Sequence, residues 1–189
     1  TVGGLLVHNG HPYHAESLDE ILSIHQSSME ALRQLRQTVE KYRPGIRISL
    51  GDTPSCSLAD DFEGIDEIRP GNFVFYDLQQ EQIGSCAFDQ IAVVVACPVV
   101  AVHEKQQKIV AYGGGVHLSK QGLEVDGRTI HGRLVELTDS GWGDALADTY
   151  VASVSQEHGV IHCGDRAFLS RTKPGDLVGV VPVHACLAV

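Results

Sequence analysis

The chain has 189 residues, 43% of them apolar and 20% charged, which supplies a hydrophobic core and excludes a disordered chain. A net charge of −10 with no clustered Lys and Arg excludes nucleic acid as the main partner, because phosphate backbones select basic patches. The longest apolar run, Ile91 to Val102, is shorter than the ~20 residues of a membrane span and is interrupted by Pro98, so no membrane partner is expected.

Gly4 to Val7 reads as a short strand that runs into a polar loop, HNGHPYH (8–14). From Ser17 to about Tyr42 the positions Leu18, Ile21, Leu22, His25, Met29, Leu32, Leu35 and Val39 recur every three or four residues, the pattern of one buried helix stripe. Ser17 and Glu20 have capping-box spacing, and Pro44 and Gly45 end the helix. Ile46 to Leu50 is the next strand, GDTPSCS a loop, SLADDF (57–62) a short helix, IRPGN (68–72) a loop and Phe73 to Asp77 a strand. That alternation predicts βα units with parallel strands over residues 1–78.

After Gln79 the texture changes. Strands are predicted at 91–103, 108–112, around 122–137, 149–155, 159–163, 167–170 and 177–186, with turns at GGG (113–115), VDGR, SGWGD, CGDR and KPGD. Residues 79–189 therefore read as a mostly antiparallel β domain, and the fold class as α/β plus β. Cys56, Cys86, Cys97, Cys163 and Cys186 are odd in number and irregular in spacing, which argues against a disulfide framework and for a reducing cytoplasm. The opening TVGGLLVHNG has no signal-peptide pattern and reads as a chain entered in mid-fold.

Three loops and one strand carry candidate chemistry. LGDTPS (50–55) combines a close-approach glycine, Gly51, with the hydroxyls of Thr53 and Ser55 at a helix start, which suits an anion such as phosphate. The same residues also serve as ordinary caps. RPGN (69–72) is a second such loop, or a type II turn around Pro70 and Gly71. HNGHPYH offers Tyr13 and three histidines, of which the tyrosine or a histidine could stack on an aromatic cofactor. His184 and Cys186, two apart on a predicted strand, would share a face and reach one ion; the alternative is a satisfied core pair. Imidazole and thiolate suit zinc, and two ligands leave positions open for water or substrate. SQEHG (155–159) adds Glu157 and His158 and points to a polar pocket in the same domain.

In this order and spacing, GHPYH, GDTPS, RPGNFVFYD, SQEHG and PGDLVGVVPVHAC resemble the D-threonine aldolase and D-serine dehydratase family of pyridoxal-phosphate enzymes, across nearly the whole chain. The resemblance implies the C-terminal part of a (β/α)8 alanine-racemase-like barrel (1–78) followed by a β domain carrying a metal site (79–189). It implies pyridoxal 5'-phosphate bound by Tyr13, Thr53, Gly71 and Asn72, and zinc bound by His184 and Cys186. His-x-Cys resembles the dehydratase branch, which acts on small D-β-hydroxy amino acids such as D-serine. A D-threonine aldolase or a racemase is the alternative within the family, and a non-catalytic fragment the alternative outside it. The family's Schiff-base lysine has no counterpart here: Lys41, Lys105, Lys108, Lys120 and Lys173 do not end barrel strands. No catalytic residue is therefore assigned in this chain, and the lysine is expected in a missing N-terminal half, which a half barrel with open strand edges would need as a partner. Tyr112 stands before GGG where the family more often has an acidic residue, so that loop receives no role. A homodimer is implied by the resemblance alone.

Overall fold

Strands β1 (Gly4–His8) and β2 (Arg47–Gly51) run parallel because the 23-residue helix α1 (Leu18–Glu40) carries the chain back between them. The computed structural model describes residues 2–15 and 17–188. The hydroxyl of Ser17 accepts from Glu20 N at 3.2 Å, so the predicted cap is made. Ile21, His25, Met29 and Leu32 are buried, and Met29 and Leu32 pack on Ile48 and Leu50 of β2. The stripe is narrower than its sequence pattern, since Leu18 and Leu35 are exposed beyond that cluster. His25 tolerates its buried position by bonding Asp61 O through Nε2 at 2.7 Å.

After β2 the chain forms α2 (Thr53–Leu58), then β3 (Glu67–Ile68), which pairs parallel with β2 to give the order β1-β2-β3. The predicted helix over SLADDF is thus displaced: Asp52 caps a helix that starts at Thr53 with Pro54 in its first turn, and Ala59 is already extended. The predicted strand over Phe73 to Asp77 does not form. Residues 71–75 are a turn, Phe73 and Val74 stand exposed, and Tyr76 has φ 50°. Strand propensity is overridden there because Asn72 N is held by the Thr53 hydroxyl, which bends the chain away from the sheet.

Helix α3 (Leu78–Gln82) is followed by strands β4 (Val95–His103) and β5 (Lys108–Tyr112), helix α4 (Gly115–Leu118) and the hairpin β6 (Leu123–Val125) and β7 (Arg128–Ile130). Then come β8 (Gly132–Thr138), β9 (Gly141–Val154), β10 (His158–Cys163), helix α5 (Arg166–Arg171) and β11 (Leu177–Pro182). Six of these strands close an antiparallel barrel in the order β10-β5-β4-β11-β8-β9. Its interior is filled by Val99, Ile109, Leu134, Val151, Ile161 and Val180, among others. Pro98 sits inside β4 beside a register shift between Val99 and Ala101, the bulge that a residue without an N–H requires. Residues 167–170, predicted as strand, are helical in α5 because Asp165 accepts from Phe168 N at 2.9 Å.

The chain divides into two compact units, residues 1–74 with 80–87 and residues 75–79 with 88–189. Among the described residues no helix is long and apolar enough to cross a membrane.

GGG and SQEHG meet each other in the second unit. Gly113 N donates to Glu157 O, Gly115 N to Ser155 O and Val116 N to Gln156 O. A Cβ on Gly114 would lie 2.5 Å from both Glu157 C and His158 N, backbone that cannot step aside. Gly114→Ala is expected to destabilise the protein by about 2 kcal/mol, read as a lowered urea midpoint at unchanged slope.

Candidate functional site

The loops that follow β1, β2 and β3 all leave the same carboxyl edge of the parallel sheet, where βα architectures place their ligands. After β1, residues His11–His14 form a 3-10 turn with Pro12 in its first positions, where the sequence reads as a polar loop. The turn carries Tyr13 to α2, where its hydroxyl accepts from Thr53 N at 3.2 Å. After β2, Asp52 Oδ1 accepts from Ser55 N at 2.7 Å and sets the start of α2. After β3, Asn72 N donates to Thr53 Oγ1 at 3.0 Å. Tyr13, Thr53 and Asn72, far apart in sequence, are thereby one hydrogen-bonded chain.

Gly51 is where the β2 and β3 exits crowd: a Cβ there would lie 2.9 Å from Arg69 O. The guanidinium of Arg69 ties the same edge together by donating to Val7 O at 2.9 Å. Gly71, by contrast, has open space around its Cβ position, so its backbone can be approached.

The donors of this edge decide what it can hold. The hydroxyls of Tyr13 and Thr53 both accept from backbone N–H groups, so each keeps its own proton to give. Thr53 and Ser55 are fully buried, and Ser55 Oγ has no hydrogen-bond partner among the described residues. A buried hydroxyl left this way costs about 1–3 kcal/mol, and an anionic oxygen would relieve it. Three hydroxyl donors, Tyr13 from the loop after β1 and Thr53 and Ser55 from the start of α2, suit a phosphate. Asp52 Oδ2, also buried and without a partner among the described residues, is an acceptor that an anion does not satisfy.

His184 and Cys186 lie in the other unit, and the predicted strand does not carry them. Strand β11 ends at Pro182, His184 is extended with φ −135°, and Cys186 lies in a 3-10 turn, Ala185–Leu187. The strand ends because Asp77 Oδ2 accepts from Ala185 N at 2.8 Å, taking a backbone donor that a ladder would need. The same-face argument from strand alternation therefore does not apply to this pair. Cys186 is exposed and His184 half-buried. His184 Nδ1 bonds Gln121 Oε1 at 2.9 Å; with an amide oxygen as acceptor, Nδ1 carries the proton and Nε2 keeps its lone pair. Partial burial, and next the Asp77 carboxylate, push the Cys186 thiol above its ordinary pKa, so it holds its proton at neutral pH. Among the described residues no three His, Cys, Asp or Glu side chains are grouped to hold a metal. A metal bound by this pair would complete its shell from water, substrate or another segment. Tyr112, His117 and His158 pack ring on ring, with centroids 4.8 and 5.7 Å from Tyr112, a contact that sequence spacing did not signal.

A parallel three-stranded βα sheet with loops converging at its carboxyl edge, followed by a closed antiparallel barrel, is the C-terminal part of an alanine-racemase-like enzyme fold. An alanine-racemase-like protein from Idiomarina loihiensis superposes on 97% of the chain with a TM-score of 0.81 and 29% identity, over 49% of its own length. The chain belongs to the family described as "Putative serine dehydratase domain", whose model matches residues 92–189. It is 28% identical over 200 residues to D-serine dehydratase from Dictyostelium discoideum, covering 97% of this chain and 47% of that protein. It is 23% identical over 197 residues to D-threo-3-hydroxyaspartate dehydratase from Delftia sp. strain HT23, covering 98% of this chain and 50% of that enzyme, whose structure superposes with a TM-score of 0.84. Variants of the Delftia enzyme in which a His and a Cys two positions apart are each replaced by Ala have been solved, the Cys variant in the metal-free form. The chain thus spans about half the length of the curated relatives it matches.

Because the Thr53 hydroxyl is the acceptor for a buried Asn72 N–H, Thr53→Val should destabilise the protein by about 1–3 kcal/mol, measured by chemical denaturation. An unchanged midpoint would mean that the two loops are held by something else.

Proposed function

We propose that this chain is the C-terminal half of a pyridoxal-phosphate- and zinc-dependent lyase that converts D-serine, or a closely related small D-β-hydroxy amino acid, to an oxo acid and ammonia. The observation that carries the reading is the hydroxyl cradle of Tyr13, Thr53 and Ser55, in a chain related along 97% of its length to a D-serine dehydratase. Residues 1–78 are read as the cofactor-binding βα units and residues 79–189 as the metal-bearing domain. An N-terminal half would supply the Schiff-base lysine. Five free cysteines fit a reducing cytoplasm, and a homodimer completes the reading.

Thr53 and Tyr13 would hold the cofactor phosphate by donating hydroxyl hydrogen bonds, with Asn72 beside them, and the open backbone at Gly71 would admit its oxygens. Pyridoxal phosphate, when bound, supplies an electron sink for negative charge at the substrate α-carbon. His184 through the Nε2 lone pair and Cys186 through its sulfur would hold zinc, which would supply Lewis acidity toward the substrate β-hydroxyl. The soft sulfur favours zinc over magnesium or manganese. The Delftia enzyme's Cys-to-Ala variant was solved in the metal-free form, and a His stands two positions before that Cys, which supports giving His184 and Cys186 this part.

With the full-length protein, D-serine is expected to yield pyruvate and ammonia, with loss of activity on chelation and recovery with zinc. Glycine and an aldehyde from D-threonine instead would make the enzyme an aldolase, and activity that survives chelation would remove zinc from the account. Because Cys186 holds its proton, zinc affinity should rise about tenfold per pH unit from pH 6 to 8, as the proton competes below its raised pKa. A flat profile in a competition titration would show that the sulfur is not a ligand.

A further inference from the structure

We propose that Gln121 is the positioning residue that makes His184 a metal ligand; this rests on the reading above that His184 and Cys186 hold zinc. Imidazole binds a metal through a nitrogen that carries no proton, so whatever accepts from the other nitrogen sets whether the ring can ligate. Gln121 Oε1 is that acceptor, 2.9 Å from His184 Nδ1.

The amide is aimed by its neighbours. Gln121 Nε2 donates to Gln79 Oε1 at 3.3 Å, which turns Oε1 toward the histidine. Gln79 N donates to Val183 O at 3.2 Å, and Val183 immediately precedes His184. Gln121, Gln79, Val183 and His184 thus form a closed ring of contacts, and the side chain that orients the imidazole is held by the segment that bears it. The backbone of Gln121 is fixed on both sides: its N–H donates to Ser119 Oγ at 3.1 Å, and its carbonyl meets His131 Nδ1 at 3.1 Å. Ser119 has φ 67°, a conformation that a serine adopts only where its surroundings impose it. A strained turn, two backbone hydrogen bonds and a second glutamine thus fix the residue whose amide oxygen meets His184 Nδ1.

The opposite amide orientation would present Nε2–H to His184 Nδ1, force the ring proton onto Nε2 and block ligation. Glutamate in place of Gln121 can only accept, so it discriminates between the two.

The test is zinc affinity of the full-length protein, read by competition with a chromophoric chelator. Gln121→Leu keeps the bulk and removes the acceptor, and is expected to weaken zinc by about 10–100-fold. Gln121→Asn, which withdraws the oxygen without losing the amide, should weaken it similarly and serves if the leucine variant does not fold. Gln121→Glu should bind zinc within about threefold of wild type or more tightly, a rescue that a merely structural role would not produce. His184→Ala and Cys186→Ala should abolish binding. If those two bind zinc as wild type does, the metal reading itself is wrong. If they lose zinc while Gln121→Leu and Gln121→Asn keep it, or if Gln121→Glu loses it, the role given to Gln121 is overturned.

Discussion

The hydrogen bond from Asn72 N to Thr53 Oγ1 joins the loop after β3 to the start of α2, and most of what the first unit offers depends on it. It turns the chain at residues 71–75 away from the sheet, which leaves Gly71 open to approach. It uses the acceptor side of a buried hydroxyl and so reserves the proton of that hydroxyl for a ligand. Tyr13 repeats the arrangement from the opposite side by accepting from Thr53 N. Each hydroxyl that accepts from a backbone N–H thus keeps its own proton to donate, and an anion is the natural complement of such donors.

The second unit solves a different problem. A histidine and a cysteine near the end of a strand would ordinarily continue the ladder or fill the core. Asp77 prevents this by taking Ala185 N, which closes the strand at Pro182 and starts a 3-10 turn. The turn leaves Cys186 at the surface, while partial burial of its thiol and the Asp77 carboxylate keep the proton on. A thiol in this state must lose its proton before it can bind a metal.

The sequence made the helix α1, its Ser17 cap, the strands β1 and β2 and the antiparallel character of the second unit legible, because those follow from local periodicity and capping. It misled where a tertiary hydrogen bond overrides propensity. Phe73 to Asp77 has strand composition but is held in a turn by Thr53; residues 167–170 look strand-like, but an aspartate cap makes them helical. His184 and Cys186 were singled out by chemistry, yet on a strand that the Asp77 carboxylate, more than a hundred positions earlier, brings to an end. Tyr13 and Thr53 are legible as loop candidates and Asn72 through the family resemblance, and the structure brings the three into one bonded chain. No periodicity announces Gln121, whose importance exists only in its distance to an imidazole.

The most direct measurement is a crystal structure of the full-length protein with cofactor, collected at the zinc absorption edge. The account predicts phosphate density within hydrogen-bond reach of Tyr13, Thr53 and the Gly71–Asn72 backbone, and an anomalous peak bonded to His184 Nε2 and Cys186 Sγ. Phosphate bound elsewhere, or an anomalous peak away from this pair, would contradict it.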